Sequence, residues 1–279
     1  MSAAVDRLRA LGAPTAPGEP WPDYPATYGL TRDDLPALIA LAEDESVYSE
    51  DDPAVWASLH AWRALGQLGA PEGAAPLARL LVRFAGPDGD DDWGIAEVPQ
   101  AMGMLGHAAF APARALLDDP AQDPLVRAGA ADALAHLAGA HPDERPSCVA
   151  ALTAVLARPD TEPDVGAFVV GALVQLQATE AAPAIEAAFA DGRVEPSYNG
   201  DWEDVQLALG LIAERRTPRP RYVHPALHPV RALDDAWTER GTGSEPEVGS
   251  AARRARERAK AKTKRKAAAR SRRANRRKR

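Results

Sequence analysis

The sequence predicts an all-α protein, an α–α superhelix (α-solenoid) of about five stacked helix–turn–helix repeats. Three observations predict it: a short string that recurs along the chain, helix-start signals in step with that string, and a composition suited to close helix packing. Alanine is abundant, β-branched residues are sparse and aromatics make up 5% of the 279 residues, which favours helices that approach through small side chains.

The string "ALGQL" begins at Ala64, and related strings follow: "AMGML" at Ala101, "ALAHL" at Ala133, "ALVQL" at Ala172 and "ALGLI" at Ala208. The spacings are 37, 32, 39 and 36 residues. Each string reads small–large–x–x–large, which puts the two large residues one helical turn apart on a single face. The small alanine leaves room for a neighbouring helix.

Start signals fall ahead of the strings. Asp52-Pro53 and Asp123-Pro124 pair an N-cap acid with proline at the first helical position. Asp92 and Asp201 are expected to cap helices that begin at Trp93 and Trp202, and Thr161 with Asp164 forms a variant capping box. After each string a short turn leads into a second helix. Three of these are expected to open at Ala75-Pro76, Ala111-Pro112 and Ala182-Pro183, and the fourth is "RPSCVAALTAVL". Each unit must stack on the next to bury its apolar face.

"VRAGAADALAHL", Val126 to Leu137, resembles the first helix of HEAT-like repeats of the phycobilisome-lyase type. "ALGQLGAPEGAAPLARLL", Ala64 to Leu81, resembles the turn and second helix of that repeat. The resemblance covers roughly residues 53–214. It implies an α-solenoid with a concave binding surface. It implies no reaction, because most members of this broad class are scaffolds or adaptors and lyase activity belongs to a minority.

The domain organisation follows. Residues 1–48 form an N-terminal helical cap, with a capping box at Thr31 and Asp34 and an irregular, proline-rich "GEPWPDYPATYGL" before it. Residues 49–216 form the repeat array. Residues 217–250 form a Pro/Gly-rich linker with one short helix, "VRALDDAW". Residues 251–279 are compositionally separate: 16 Lys and Arg stand against one acid, Glu257, for a net charge of +15. The whole chain carries −7, so the other 250 residues carry −22.

This tail holds every lysine of the protein and no aliphatic residue larger than alanine. It has no apolar face for a membrane, and like-charge repulsion is expected to keep it disordered in isolation. Three readings stay open. It contacts a polyanion such as RNA or a ribosome through counterion release; it folds back over the acidic body at an effective concentration of about a millimolar; or it serves solubility alone. The side chains offered to a polyanion are Arg253, Arg254, Lys260, Lys262, Lys264, Arg265, Lys266, Arg270, Arg272, Arg273, Arg276, Arg277, Lys278 and Arg279.

Candidate chemistry is thin. Asp88, Asp90 and Asp92 alternate like the start of an EF-hand, but positions 6 and 12 hold Trp93 and Pro99 instead of glycine and glutamate. His224 and His228 lie four apart with no third ligand nearby, so no metal is expected. Cys148 reads as a packing residue, and there is no GxSxG, HExxH or P-loop. Neither catalytic residues nor a cofactor are assigned. One cysteine, no apolar h-region and no apolar run beyond 12 residues point to a cytoplasmic chain without a membrane segment.

Trp56 and Trp93 each lie eight residues before their repeat alanine and are expected to pack between repeats. Arg79, Arg83 and Arg114 lie on second helices, which are expected to line the concave face, where they would meet a carboxylate or phosphate of a protein partner. The resemblance also leaves a chromophore-lyase-like enzyme as the alternative, requiring an enclosed pocket that gathers Arg79, Arg114, a histidine and a carboxylate.

Overall fold

Aspartates and prolines punctuate the chain, and in the computed structural model they mark where most helices begin. The structure describes residues 3–14, 20–47, 53–87, 89 and 91–220, all within the unit Met1–His224. Among the described residues the secondary structure is thirteen α-helices and six short 3-10 turns, with no strand. α1 (Ala3–Arg9), α2 (Tyr24–Tyr28) and α3 (Leu35–Glu43) lead into α4 (Ala57–Leu68), α5 (Ala74–Ala85), α6 (Asp92–Gly103) and α7 (His107–Asp118). Then come α8 (Pro124–Ala140), α9 (Arg145–Leu156), α10 (Pro163–Gln175), α11 (Ala182–Ala190), α12 (Pro196–Asn199) and α13 (Trp202–Ala208). The linker from 221 onward, its expected short helix and the basic tail lie outside the described residues.

Several helix starts follow the sequence expectation. The Asp123 carboxylate accepts from the Leu125 N–H at 2.9 Å ahead of α8. Asp201 and Asp204 exchange hydrogen bonds at 3.1 and 3.2 Å across the first turn of α13. The Asp34 carboxylate accepts from the Thr31 N–H at 2.9 Å. Asp52 lies outside the described residues.

Four starts differ, each for a local reason. Asp91, not Asp92, caps α6: its extended backbone lets Oδ1 reach the N–H groups of Trp93 and Gly94 at 3.1 and 3.0 Å. Thr161 donates its hydroxyl back to the Val155 carbonyl at the end of α9, and Glu162 precedes α10. α7 begins at His107 because Gly106, at φ +65°, turns the chain there, so Pro112 sits inside the helix. In the proline-rich stretch, Asp23 caps the one-turn α2 by accepting from Ala26 N–H at 2.9 Å, and Pro25 fits that first turn, where its missing N–H costs nothing.

The strings lie on α4, α6, α8, α10 and the end of α13. Their second, large residues, Leu65, Met102, Leu134, Leu173 and Leu209, are all buried. The alanines are buried in the first four, whereas Ala208 is exposed because α13 ends there. The first helices pack in the series α4–α6–α8–α10 and the second helices in the series α5–α7–α9–α11, with contacts among the first helices the more extensive. Small third residues permit this. A β-carbon on Gly66 would lie 2.9 Å from Ala101 Cα, and one on Gly103 would lie 2.5 Å from His136 Cβ. Cys148 is buried in α9 and burial pushes its thiol up to about 11, as befits a packing residue.

α4 is buried on every side from Ala57 to Gly66, because the N-terminal segment covers it. A buried polar chain fastens that cover. Arg63 pairs with Glu97 of α6 through Nε–Oε2 at 2.7 Å and Nη2–Oε1 at 2.5 Å. The Arg63 guanidinium also lies over the rings of Trp21 and Trp93, at 5.1 and 5.8 Å, and close to the Tyr24 oxygen, which favours its charge. Tyr24 in turn meets His60 Nδ1 at 2.7 Å, and His60 Nε2 meets the Gly12 carbonyl at 2.9 Å. A carbonyl only accepts, so Nε2 carries the proton and Nδ1 accepts from the tyrosine. Burial pushes the His60 pKa down and the Tyr24 pKa up, which keeps both neutral.

The packing makes testable demands. Glu97→Gln strands the Arg63 charge and is expected to cost about 3–5 kcal/mol in urea unfolding, while Arg63→Met with Glu97→Leu recovers most of that loss. Because the folded His60 resists protonation and the unfolded residue does not, stability holds above the unfolded pKa of 6.5 and declines as the pH falls below it. Gly66→Ala is expected to cost about 1–3 kcal/mol through overpacking. Gly139→Ala, with open space around its β-carbon, is expected to gain about 0.5–1 kcal/mol in the same assay.

Candidate functional site

The three arginines singled out on second helices are occupied by the protein itself. Arg79 and Arg83 of α5 converge on Glu43: Arg79 Nη2 lies 2.8 Å from its carboxylate, and Arg83 Nη1 donates to its carbonyl at 3.1 Å. Arg114 of α7 donates to Asp118 in its own helix at 3.2 Å, and Asp118 also receives Arg158 at 2.7 Å. Arg83 belongs to a recurring arrangement. Arg158 donates to the Asp118 carbonyl at 3.0 Å and Arg193 donates to the Leu156 carbonyl. Arg83 reaches back from α5 to the C-terminal end of α3, while Arg158 and Arg193, in the turns just after α9 and α11, reach back to the C-terminal ends of α7 and α9, where the helix dipole favours a cation. An enclosed pocket joining Arg79, Arg114, a histidine and a carboxylate is not formed among the described residues.

The open polar surface lies on the first helices. A cleft of about 240 Å³ is lined by Gln100 of α6 and Met104 just after it, Ala135, His136, Gly139 and Ala140 of α8, and Gln175 of α10. It exists because the two ends of this helix row are covered and the middle is not. The N-terminal segment covers α4. α12 covers part of α10, where Asn199 donates to the Ala167 carbonyl at 2.6 Å and Tyr198 packs on Phe168 at 4.8 Å between ring centres. α8 is buried around most of its circumference and opens to solvent along one stripe, Leu125, Asp132, His136 and Gly139.

The polar groups of this surface have no partners. The side chains of Gln100, Asp132, His136 and Gln175 form no hydrogen bond or ion pair with one another or with any other described residue. Asp132, one turn before His136 on the same stripe, is reached by solvent yet surrounded by protein on most sides. With no cation beside it, burial pushes its carboxyl up to about 6. Burial also lowers the His136 pKa, so the imidazole is neutral at pH 7. Together α6, α8, α10 and α12 carry Asp92, Glu97, Asp132 and Asp164, while their one basic residue, Arg127, is buried and donates to the Leu117 carbonyl at 3.0 Å. Glu97 is consumed by Arg63. The surface therefore offers hydrogen-bonding amides, a neutral imidazole and an uncompensated carboxyl.

The remaining candidates resolve into packing or fall outside view. Trp56 and Trp93 meet edge to face at 5.8 Å, Trp62 packs on Phe84 at 5.3 Å and Trp202 on Phe189 at 6.3 Å. His107 meets Glu144 at 2.9 Å, and His141 lies 3.4 Å from the Met104 carbonyl. Among the described residues no three His, Cys, Asp or Glu side chains gather as metal ligands. Asp88, Asp90, His224 and His228 lie outside the described residues.

Asp132 gives this surface a measurable signature. Its side-chain carbon resonance is expected to titrate with a midpoint near 6 rather than near the ordinary 3.8; a midpoint near 4 would count against the desolvated placement. A folded pKa above the unfolded one means that stability is lost as the pH rises through that window. Asp132→Asn is therefore expected to raise the thermal midpoint, and by more at pH 7.5 than at pH 5.

Comparison of the chain with protein-family models, with curated proteins and with solved structures found no match.

Proposed function

We propose that the chain is a non-enzymatic binding module, an α-solenoid of about five HEAT-like repeats whose first helices hold a protein partner. The single observation that carries this reading is the cleft over α6, α8 and α10, with its unpartnered Gln100, His136 and Gln175 and the neighbouring Asp132. Gln100 and His136 are half-buried, where polar groups without partners are costly to keep, and a ligand that satisfies them while meeting the exposed Gln175 and Asp132 recovers that cost. Their open, shallow setting suits a segment of polypeptide laid across several helices better than a small molecule.

The expected concave face was that of the second helices. The closer packing of the first helices supports the opposite assignment, because the inner layer of a curved stack has the less room between its elements. The arginines on and just after the second helices fit an outer layer, being spent on ties between units.

The basic segment 251–279, outside the described residues, is proposed to contact a polyanion, RNA or a ribosome, independently of the cleft. Its net charge of +15 supports binding by phosphate neutralisation, tight at low salt and blind to sequence.

Affinity capture from cell extract separates the two roles. Three baits are compared at low and moderate salt: the full chain, its Gln175→Ala/His136→Ala variant, and a chain ending at Ser250. The cleft variant is expected to lose a protein partner and keep RNA; the shortened chain is expected to keep the partner and lose RNA. Identical recovery by all three baits would overturn both assignments.

A further inference from the structure

The row of repeat positions that forms the cleft is used once already in this molecule, and there it holds a stretch of polypeptide. Gln67 is the fourth residue of the first string. Its Oε1 accepts from the Tyr24 N–H at 2.8 Å and its Nε2 donates to the Pro22 carbonyl at 2.9 Å. One side-chain amide thus grips the main chain of a passing segment from both sides, and the grip asks nothing of that segment's side chains. The residue just before the repeat alanine, Arg63, lies one turn away beneath Trp21 of the same segment, at 5.1 Å. The fourth position therefore clamps main chain, while the position before the alanine meets a side chain.

Carried along the strings, these two positions fall in the cleft or, at Asp132, beside it. The fourth residue is His136 on α8 and Gln175 on α10; the residue before the alanine is Gln100 on α6 and Asp132 on α8. Where α4 presents an arginine, α8 presents a carboxyl with no partner. His136 is neutral and supplies no counter-charge to Asp132. The four helices around the cleft set three further acids against one buried arginine. An anionic ligand meets no available cation there, and a metal ion meets one carboxylate where several ligands are needed.

Building on the binding-module reading, we infer that the cleft takes an extended segment of a partner protein, with its main chain gripped by Gln175 and a lysine or arginine of that segment set against Asp132. The ammonium or guanidinium supplies the counter-charge that the carboxyl lacks, and the carboxamide of Gln175 repeats the contact that Gln67 makes with residues 22–24.

The test uses the full chain and a six-residue probe, Pro-Trp-Pro-Xaa-Tyr-Pro, capped at both ends, with a fluorescent label. It repeats residues 20–25 with Asp23 replaced by arginine or by its neutral isostere citrulline. Binding is read by fluorescence anisotropy at pH 7.5. The arginine peptide is expected to bind about tenfold more tightly than the citrulline peptide, the value of one charge-assisted contact. Asp132→Asn, a change expected to stabilise the fold, should reduce the arginine peptide to the citrulline level. Gln175→Ala should weaken both peptides by the same factor. Equal binding of the two peptides, a preference that survives Asp132→Asn, or no binding of either at millimolar peptide overturns the inference. If the peptides bind equally and the cleft variant still loses its partner from extract, the cationic preference alone fails and the binding module stands.

Discussion

Gly66 and Gly103 set the distance between successive first helices, and much of the surrounding structure depends on that distance. At both places the neighbour's atoms occupy the volume where a β-carbon would stand. The result is a tightly packed row of first helices beside a looser row of second helices. Core side chains such as Leu77, Leu81, Leu117 and Leu152 fill the space between the two rows. Because the first helices lie so close, side chains that project from them are hemmed in even when water reaches them. That crowding is what raises the Asp132 carboxyl and lowers the His136 imidazole.

The helices themselves were largely legible in the sequence. Asp123 with Pro124, and Asp201 with Asp204, state a helix start in the chemistry of their own side chains, and no distant contact alters it. Asp92 misled by one position, since three consecutive aspartates carry the same local signal and only the backbone angle at Asp91 selects among them. Pro112 misled because the turn at Gly106 lies upstream and outranks it. The cleft was not legible, and the reason lies in the string itself. Its pattern marks the small and large residues that every unit needs for packing, and leaves as x the positions that face outward. His136 and Gln175 occupy such positions, and Gln100 and Asp132 precede the string altogether. Recognising them requires knowing which side of each first helix stays uncovered.

The buried chain from Glu97 through Arg63, Tyr24 and His60 to Gly12 was equally hidden, because its members are 34 residues or more apart wherever it crosses between elements. Its members differ from the cleft residues in one respect that decides their role. Its groups are turned toward one another and buried, so it fastens the N-terminal segment and is not open to a ligand. Around the cleft a histidine, two glutamines and an acid have side chains left without partners.

The arginines that reach back to the carbonyls of Glu43, Asp118 and Leu156 have a mechanical consequence. Each acts as a strap across one step of the stack, from α5 to α3, from the turn after α9 to α7 and from the turn after α11 to α9. Between α7 and α5 no such strap occurs among the described residues. The α5–α7 step is held instead by helix packing, which is more extensive there than at any strapped step. The steps are thus secured in two ways: some by a polar tie that the loss of a single arginine would cut, and one by contact spread along two helices.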